Sequence, residues 1–430
     1  MTHCSTWIQV LQHLWRKLTY ANQQGSESSD TCSPILSLPD EIITDILRRL
    51  PAPDVLSCRR VHSNWLHLSS TPWFAEIHFR STSATSILLG QDRSYYNFNT
   101  GRNGNGVLLY IVENHDSENP RLKKVHMKGL GQMKEYFSGG QYYKLYASCN
   151  GVLLLRLSCT DRYLIYNPIK REKKHFLRKD HKICGFFFDQ LEREYKLVLF
   201  STNPVQKLTN YYIHGTSMKH KETYDDDIGC SVYCPLNGHE HELGVEVSGA
   251  MFWLVRRHSG QVECCRSIMI LDLKTKIFQV LPHPGPSCAY SFYRFDYYEE
   301  KRLHDQIRLL EMDRRLSLVN VLQDIVEMWV LEDVGKWMWV KKYVVNLDQR
   351  FNYNAFGGHP VVGVESGNLL INWPDRGLFW CNLWLNRFQI FENKGGGSNI
   401  TVRGCHFYAT RYTPNFAANI FSDVLGPSQS

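Results

Sequence analysis

A short unit, made of a turn residue and a glycine followed by an apolar strand, recurs along this chain and constrains its fold more than any other feature. Copies of the unit cover residues 105–109, 150–154, 248–252 and 366–370. The first two copies are about 45 residues apart, and the later intervals are close to twice 49 and twice 59 residues, which indicates one missed copy in each. Strand repeats of this period are typical of a β-propeller, so the sequence predicts a ring of about six blades.

A second recurring element supplies another hairpin to each unit. An apolar strand ends in a turn that carries an acid or amide and a base, and an aromatic residue follows in the next strand. The turns cover residues 166–170, 272–276 and 382–387, and the aromatic residues are Phe176, Phe278 and Phe388. Asn, Asp and Gly tolerate the left-handed backbone that tight hairpins require. Two hairpins make a four-stranded blade, and closing the blades into a ring removes the edges of an open sheet.

Two segments of the β region carry predictions of their own. Residues 399–412 are expected to form a late strand that pairs with the first blade and closes the ring. The strand pattern fails over residues 201–243, where the aspartates Asp225, Asp226 and Asp227 stand together, so a long loop is predicted there.

Ahead of the β region the apolar residues adopt helical spacing. Ser37, Leu38, Pro39 and Asp40 are typical of a helix start, with the Ser37 hydroxyl as the N-cap. The predicted helix ends where Pro51 and Pro53 follow. Its apolar face consists of Leu38, Ile42, Ile43, Ile46, Leu47 and Leu50.

A second helix is predicted over residues 54–68, followed by a short helical turn over residues 73–77 that Thr71 and Pro72 cap. The apolar residues of the second helix, at steps of three or four, are Val55, Cys58, Val61, Trp65 and Leu68. A module of about 45 residues is at the lower limit of what folds without a partner. Part of its apolar surface is therefore expected to bind another protein.

Length and composition limit the class of protein. The 430 residues fit one small and one large domain, and no apolar run approaches the roughly 20 residues of a membrane span, so no membrane partner is expected. The formal charge of +7 is spread along the chain and gives no basic patch for nucleic acid. The 13 irregularly spaced cysteines favour reduced thiols, and hence the cytoplasm or the nucleus.

Residues 1–33 are interpreted as an amphipathic segment and a linker. The apolar residues at helical spacing are Trp7, Ile8, Leu11, Leu14, Trp15 and Leu18. A transit peptide is one interpretation, since Arg16 and Lys17 lie beside this stripe and no acidic residue precedes Glu27. The aromatic character of the stripe and the scarcity of arginine favour the other, a short helix that packs on its own protein.

The sequence contains few candidate catalytic or metal-binding motifs. The sequence has no phosphate-binding Gly-Lys-Ser/Thr loop, no Gly-x-Ser-x-Gly elbow and no His-Glu-x-x-His helix. Cys230, Cys234, His239 and His241 could supply four zinc ligands, but their spacing differs from that of the usual zinc sites. We therefore expect no catalytic residue, no cofactor and no metal. The 11 tryptophans are expected to pack mostly between blades, with Trp373, Trp380 and Trp384 as candidates for exposure.

The helical region resembles the F-box motif in residue identity and in spacing. The residues that carry this resemblance are Leu38, Pro39, Ile42, Ile46, Leu47, Leu50, Pro51, Val55, Leu56, Cys58, Arg59, Val61 and Trp65. The resemblance implies that these residues, Cys58 apart, bind a Skp-type adaptor. His62, Ser63 and Leu66 depart from the family, which usually has Cys-Lys after the valine and Arg after the tryptophan. The alternative is a helical hairpin whose apolar face packs on the β domain.

The β region resembles the F-box-associated interaction domain that follows the F-box in a large family of plant proteins of F-box and kelch-like architecture. The residues that carry this resemblance are 148–153, 166–168, Gly185, Phe186, 195–198, Gly249, Trp253, 271–273, Leu281, Pro282, 327–329 and Trp339. True kelch repeats need a glycine pair in every blade, and the pairs at 139–140 and 357–358 do not recur in that way.

Together the resemblances imply a non-catalytic, substrate-recognition adaptor of an SCF-type (Skp-cullin-F-box) ubiquitin ligase, in which the propeller binds a target protein. The expected domains are an N-terminal segment at 1–33, an F-box domain at 34–80, a propeller at 95–415 and a tail at 416–430. The alternatives are a propeller-fold enzyme and a protein-binding scaffold outside any ligase.

Overall fold

A computed structural model of the chain has two compact units, with the boundary near residue 84. Among the residues that the structure describes, the first unit has four helices and the second has strands. The structure describes residues 38–50, 52–81, 86–92, 108–113, 121–125, 143–157, 161–177, 181–203, 205–216, 226–235, 243–257, 266–286, 291–293, 300–302, 307–321, 325–346, 359–364, 367–373, 377–385, 387–390 and 406–412. The amphipathic segment and linker, the Ser37 cap and the tail lie outside these residues.

The helices of the first unit are short. They are α1 (Asp40–Leu47), α2 (Ala52–Cys58), α3 (Ser63–Ser70) and α4 (Pro72–Ser81). Pro39 is the N-cap residue of α1, with no side-chain cap, and the predicted cap, Ser37, lies outside the described residues. The Pro39 carbonyl instead accepts hydrogen bonds from the backbone N–H groups of Ile42 and Ile43, at 3.0 and 3.1 Å.

The single predicted helix over 54–68 is two helices, α2 and α3, so that prediction was wrong. His62 breaks the run because its backbone is extended, with φ −150° and ψ 142°, and its Nδ1 accepts a hydrogen bond from the Asn64 backbone N–H at 3.2 Å. The predicted cap at Thr71 is confirmed, since its Oγ1 accepts from the Phe74 N–H at 3.1 Å. The helix that follows is longer than the predicted turn and ends at Ser81.

The described strands of the second unit pair antiparallel, in six sheets of four or five strands and one sheet of two. In chain order the first strands are β1 (Ser86–Asp92), β2 (Leu108–Glu113), β3 (Arg121–Val125), β4 (Tyr143–Cys149), β5 (Val152–Leu157), β6 (Arg162–Asn167), β7 (Glu172–Leu177), β8 (Lys182–Asp189), β9 (Glu194–Asn203), β10 (Leu208–Gly215), β11 (Asp226–Ser231), β12 (Tyr233–Pro235) and β13 (Val245–Val247).

The remaining strands are β14 (Ala250–Arg257), β15 (Ser267–Asp272), β16 (Phe278–Pro282), β17 (Ser291–Tyr293), β18 (Glu300–Arg302), β19 (Ile307–Met312), β20 (Arg315–Val321), β21 (Ile325–Asp333), β22 (Met338–Asn346), β23 (His359–Val364), β24 (Asn368–Trp373), β25 (Gly377–Asn382), β26 (Arg387–Ile390) and β27 (His406–Tyr412). Strands β17 and β18 form a separate hairpin. The described strands otherwise make six sheets.

Each of these six sheets is a blade. From the centre outward, the strand orders are β27-β1-β2-β3, β4-β5-β6-β7, β8-β9-β10-β11, β12/β13-β14-β15-β16, β19-β20-β21-β22 and β23-β24-β25-β26. Blades are numbered 1 to 6 in this order below. The inner strands of neighbouring blades contact one another: β27 contacts β4, and β4 contacts β8. On the other side of the ring β13 contacts β19, β19 contacts β23, and β23 contacts β27. The described residues form four short helices and, later in the chain, a propeller-type β domain. This is the mostly β fold class that the helical spacing and the repeats predicted.

Closure of the ring depends on its last strand. Strand β27 pairs antiparallel with β1, and His406 lies opposite Asp92 while Tyr412 lies opposite Ser86. The predicted pairing of a late strand with the first blade is confirmed. The first blade begins at Ser86, earlier than the expected start at residue 95. Its strand β1 pairs on the inner side with β27, which lies more than 300 residues later in the chain.

Predicted turn chemistry recurs at the hairpins. The side-chain oxygen of an Asn or Asp at the end of a strand accepts hydrogen bonds from the backbone N–H groups two and three residues later, and the fourth residue on takes a positive φ. Asn167 with Arg171, Asp189 with Arg193, Asn203 with Lys207 and Asp272 with Lys276 follow this rule. The carboxylate or amide thus replaces backbone partners that a tight turn lacks.

The prediction of a long loop over residues 201–243 was wrong for the residues of this range that the structure describes. Strands β9, β10, β11 and β12 occupy much of it. In β10, Thr209, Tyr211 and Ile213 are buried while the residues between them are more exposed. Threonine at an inward position and asparagine beside it obscured this alternation, because both are polar residues common in turns.

The core lies between neighbouring blades. Separate apolar clusters join blades 2 and 3, blades 3 and 4, blades 4 and 5, and blades 5 and 6. Hydrogen bonds from aromatic side chains link three of these pairs of blades. Tyr195 Oη donates to Asn150 O at 3.0 Å, Trp253 Nε1 to Cys184 O at 2.7 Å, and Trp337 Nε1 to Pro282 O at 2.7 Å. These side chains use their rings for packing and their donors for orientation.

Candidate functional site

The helical unit is held together by a small buried core. Ile43, Val55, Phe74 and Leu47 are at most 3% exposed, and Trp65 is 7% exposed. The end of α1 is fixed from α4, because the buried His78 ring binds Leu50 O at 2.8 Å and Ser81 Oγ donates to Arg48 O at 3.0 Å. Apolar burial and two side-chain bonds therefore position α1 as a rigid surface element.

Charged residues reinforce α1 on its other side. Arg48 Nε donates to Asp45 Oδ1 at 2.7 Å, and Arg49 lies 2.6 Å from Asp45 Oδ2. The hydrogen bond from Arg48, with a further one from Arg49, lowers the pKa of the Asp45 carboxyl below its ordinary value despite some desolvation. The pairs follow the i, i+3 and i, i+4 spacing that stabilises an exposed helix face.

The predicted adaptor-binding residues divide by burial into two groups. The buried group belongs to the core of the unit and contains Leu47, Leu50, Val55 and Trp65. The second group is exposed or half-buried and contains Leu38, Pro39, Ile42, Ile46, Leu56, Arg59 and Val61. Pro51 lies outside the described residues. The structure thus separates residues that form the core of the unit from residues at its surface, of which Arg59 is engaged within the unit.

Arg59 is engaged inside the helical unit. Its Nε donates to Ser69 Oγ at 3.0 Å, and a second nitrogen donates to the Ser69 carbonyl. Burial lowers the pKa of this guanidinium from its ordinary value. The side chain ties α2 to the end of α3, which the F-box resemblance alone did not indicate.

An apolar pocket opens on the helical unit. The residues that line it are Leu38, Ile43, Ile46, Leu47, Leu50, Cys58 and Trp65. Burial, with a smaller effect from Asp54, raises the pKa of the Cys58 thiol to about 11, so the thiol is neutral at pH 7 and belongs to the apolar lining. Five of these seven residues are among the predicted adaptor-binding residues. Ile42, which is 48% exposed, lies on α1 outside the pocket lining.

Two exposed apolar side chains of this unit, Trp73 and Leu66, do not line the pocket. Trp73 is 62% exposed on α4 and Leu66 is 47% exposed on α3. Helical spacing placed Ile43 on the apolar stripe of α1, but only packing shows that it faces both core and pocket.

No site for a metal ion occurs among the residues that the structure describes. No cluster of three His, Cys, Asp or Glu side chains occurs there. In the zinc candidate, Cys230 is exposed and Cys234 is buried, while His239 and His241 lie outside the described residues. Within that part of the chain, no helix has the length and apolar content of a membrane span.

Comparison with known families identifies both units. Residues 35–76 match the model of the F-box domain. Residues 93–406, most of the chain, match the model of the F-box associated beta propeller domain. This chain is an F-box protein with an F-box-associated β-propeller.

Relatives among F-box proteins come from Arabidopsis thaliana. F-box protein At1g47340 is 23% identical over 389 residues, which cover 84% of this chain and 76% of the relative. Putative F-box protein At1g47790 is 23% identical over 418 residues, or 90% of this chain and 95% of the relative. Putative F-box protein At1g47300 is 27% identical over 172 residues, or 37% of this chain and 53% of the relative. The F-box and its associated propeller indicate a protein of the substrate-adaptor type.

Proposed function

We propose that this F-box protein is the target-recognition subunit of an SCF-type ubiquitin ligase. Its helical unit binds a Skp-type adaptor and through it a cullin-RING ligase, while the propeller holds a target protein. The chain supplies proximity and orientation, with no chemical step of its own. We place its action in the cytoplasm or nucleus, where its cysteines are expected to stay reduced.

The observation that carries the docking proposal is the surface of α1. Ile42 and Ile46 on α1, and Leu38 just before it, are exposed or half-buried, and Leu38 and Ile46 line the apolar pocket. An amphipathic helix of this kind binds a partner by burying its apolar face in a groove. The buried residues behind it hold the helix in place, so we assign them a supporting role.

The docking proposal is tested by co-purification of the full chain with a Skp-type adaptor. Ile42→Asp, and separately Leu38→Ala with Pro39→Ala, are expected to reduce adaptor recovery at least about tenfold, since a charge or a truncated side chain removes apolar contact from the interface. Leu66→Asp is the matched control, because Leu66 is 47% exposed and Ile42 is 48% exposed.

The control is expected to retain the adaptor, and all variants should keep the thermal midpoint of the wild-type chain. Undiminished recovery with both α1 variants would show that the adaptor does not bind here. Equal loss with Leu66→Asp would assign the effect to general solubility or to α3.

A further inference from the structure

The described chain begins at the apolar pocket of the helical unit. Leu38 is the first described residue, and it is also one of the residues that line the pocket. The residues that precede Leu38 in the sequence are therefore tethered at the pocket itself. Ile42, exposed on α1 outside the lining, offers further apolar surface to an occupant larger than one side chain. Contiguous exposed apolar surface of this kind marks an interaction site.

The amphipathic segment ahead of Leu38 supplies a matching apolar stripe. Its six apolar residues lie within residues 7–18 at steps of three and four, while Gln9 and His13 fall on the opposite face of the same helical pattern. A helix with anchors at these steps binds by laying its apolar face in a hydrophobic groove. The stripe and the pocket thus complement each other in apolar character.

Charge favours the same contact. Arg16 and Lys17 lie beside the stripe, and the segment has no acidic residue before Glu27. On the helical unit, Glu41 is exposed at the N-terminal end of α1, next to Ile42. Opposite charges on exposed side chains add a small attraction, which assists the apolar contact without replacing it.

The tether decides which occupant reaches the pocket most readily. Residues 19–37 join the stripe to Leu38. A flexible chain of this length spans about 25 Å on average, and a tether of that kind gives an effective concentration of about 1 mM. A second copy of the chain has no such advantage. A weak contact, with a Kd of about 0.1 mM, would therefore fill the pocket with the chain's own segment in about nine of ten molecules.

We propose that residues 7–18 bind the apolar pocket of the helical unit in the free chain, and that a Skp-type adaptor displaces them when it docks. The segment then covers the docking surface until the adaptor arrives. This inference rests on the proposed docking of the adaptor at α1. Since the pocket is open in about one of ten molecules, the apparent affinity for the adaptor is lowered about tenfold.

Adaptor affinity of the full chain, measured by isothermal titration calorimetry, tests the competition. Leu11→Asp with Trp15→Asp puts two charges into the stripe and is expected to tighten adaptor binding about tenfold, because the competing segment is lost. Gln9→Asp with His13→Asp is the matched control. It adds the same two charges at the same spacing on the opposite face, and should leave the affinity at the wild-type value.

A peptide locates the contact without any adaptor. A fluorescent synthetic peptide of residues 5–19 is titrated with the full chain that carries Leu11→Asp and Trp15→Asp, and binding is followed by fluorescence anisotropy. Adding Ile46→Asp is expected to weaken peptide binding at least about tenfold, because Ile46 lines the pocket. Leu66→Asp is the control, since Leu66 is exposed outside the lining. A wild-type thermal midpoint shows that each variant is folded.

Three results would overturn the proposal: adaptor affinity equal in the wild type and the stripe variant, equal tightening by the stripe variant and its control, or equal peptide binding with Ile46→Asp and Leu66→Asp. A wild-type dimer that the stripe variant dissociates would also overturn it, by assigning the stripe to a second copy of the chain. If the peptide binds at Ile46 but no variant binds the adaptor, the docking proposal fails and the segment contact stands.

Discussion

At the scale of single residues, the contact between blades 3 and 4 shows how little space the core leaves. The Gly244 N–H and the Trp253 Nε1–H both donate to Cys184 O, each at 2.7 Å. A Cβ atom on Gly244 would lie 2.6 Å from the Trp253 indole and 2.7 Å from Met251 Cγ. The glycine is needed because backbone and indole converge on one carbonyl, a constraint that no sequence motif of this chain expresses.

Gly244→Ala is therefore expected to destabilise the propeller by about 1–3 kcal/mol, the usual cost of overpacking a core. Differential scanning fluorimetry of the full chain measures the effect as a lower thermal midpoint. Gly335→Ala is the control, because its added Cβ would meet only Asp333 Oδ1, at 3.4 Å. A midpoint for Gly244→Ala equal to that of the control would show that the indole can move aside at little cost.

At the scale of elements, the hairpin turns explain both the success and the gaps of the repeat pattern. The turns at 150–151 and 248–249 combine a positive-φ residue with glycine, and the pattern identified them. The missing copies are real turns without glycine: Asp189 to Arg193 joins β8 and β9, and Asp313 with Arg314, at φ 51° and 61°, joins β19 and β20. Two non-glycine residues in the left-handed region gave no recognisable signal.

In these turns, the acceptor oxygen of the Asp or Asn side chain is expected to contribute more to stability than the charge of that side chain. In blade 4, Asp272 Oδ1 accepts from the backbone N–H groups of Lys274 and Thr275 at 2.9 and 2.7 Å. Asp272→Ala should lower stability by about 1 kcal/mol, because two turn donors lose their partner. Asp272→Asn keeps the acceptor oxygen, as Asn167 does in blade 2, and should remain close to wild type.

Thermal midpoints of the two Asp272 variants, compared at neutral pH, check this expectation. Equal loss in both would mean that the negative charge, and not the acceptor oxygen, stabilises the turn. The hydrogen bond to Thr275 N–H is the largest contribution to the lowered pKa of the Asp272 carboxyl, so the acid stays ionised at neutral pH.

At the scale of the whole molecule, stability depends on the pairing of β1 with β27, the first and last of the described strands. Strand β27 contributes seven residues to blade 1 and contacts β4 and β23 on either side. Without it, β1 would be the open inner edge of an incomplete blade, and the ring would have a gap between blades 6 and 2. Contacts this distant in sequence form late and close the fold cooperatively.

Removal of residues 406–430 is expected to lower the thermal midpoint of the chain by at least about 5 °C, because blade 1 loses its inner strand and neighbouring blades lose their contacts. Removal of residues 418–430 leaves β27 in place and should have little effect. Similar midpoints for the two truncations would show that blade 1 is stable without β27.

The sequence by itself determined the local elements and the family. Turn residues, apolar strands and helical stripes act over a few neighbours, so the helical region, the glycine-containing hairpin turns and a ring of about six blades were predictable from them. The break between α2 and α3 at His62 was not. The strand pattern failed over residues 201–243, where inward threonine and neighbouring asparagine resemble loop residues.

Only the tertiary structure decided which apolar residues face inward. Leu47 and Ile42 share a helical stripe, but packing within the helical unit buries the first and leaves the second 48% exposed. In the same way, Val344 and Val345 are neighbours in β22, and only packing leaves the first 54% exposed and the second 1% exposed. Burial depends on contacts between segments far apart in the chain, which periodicity along the chain cannot specify.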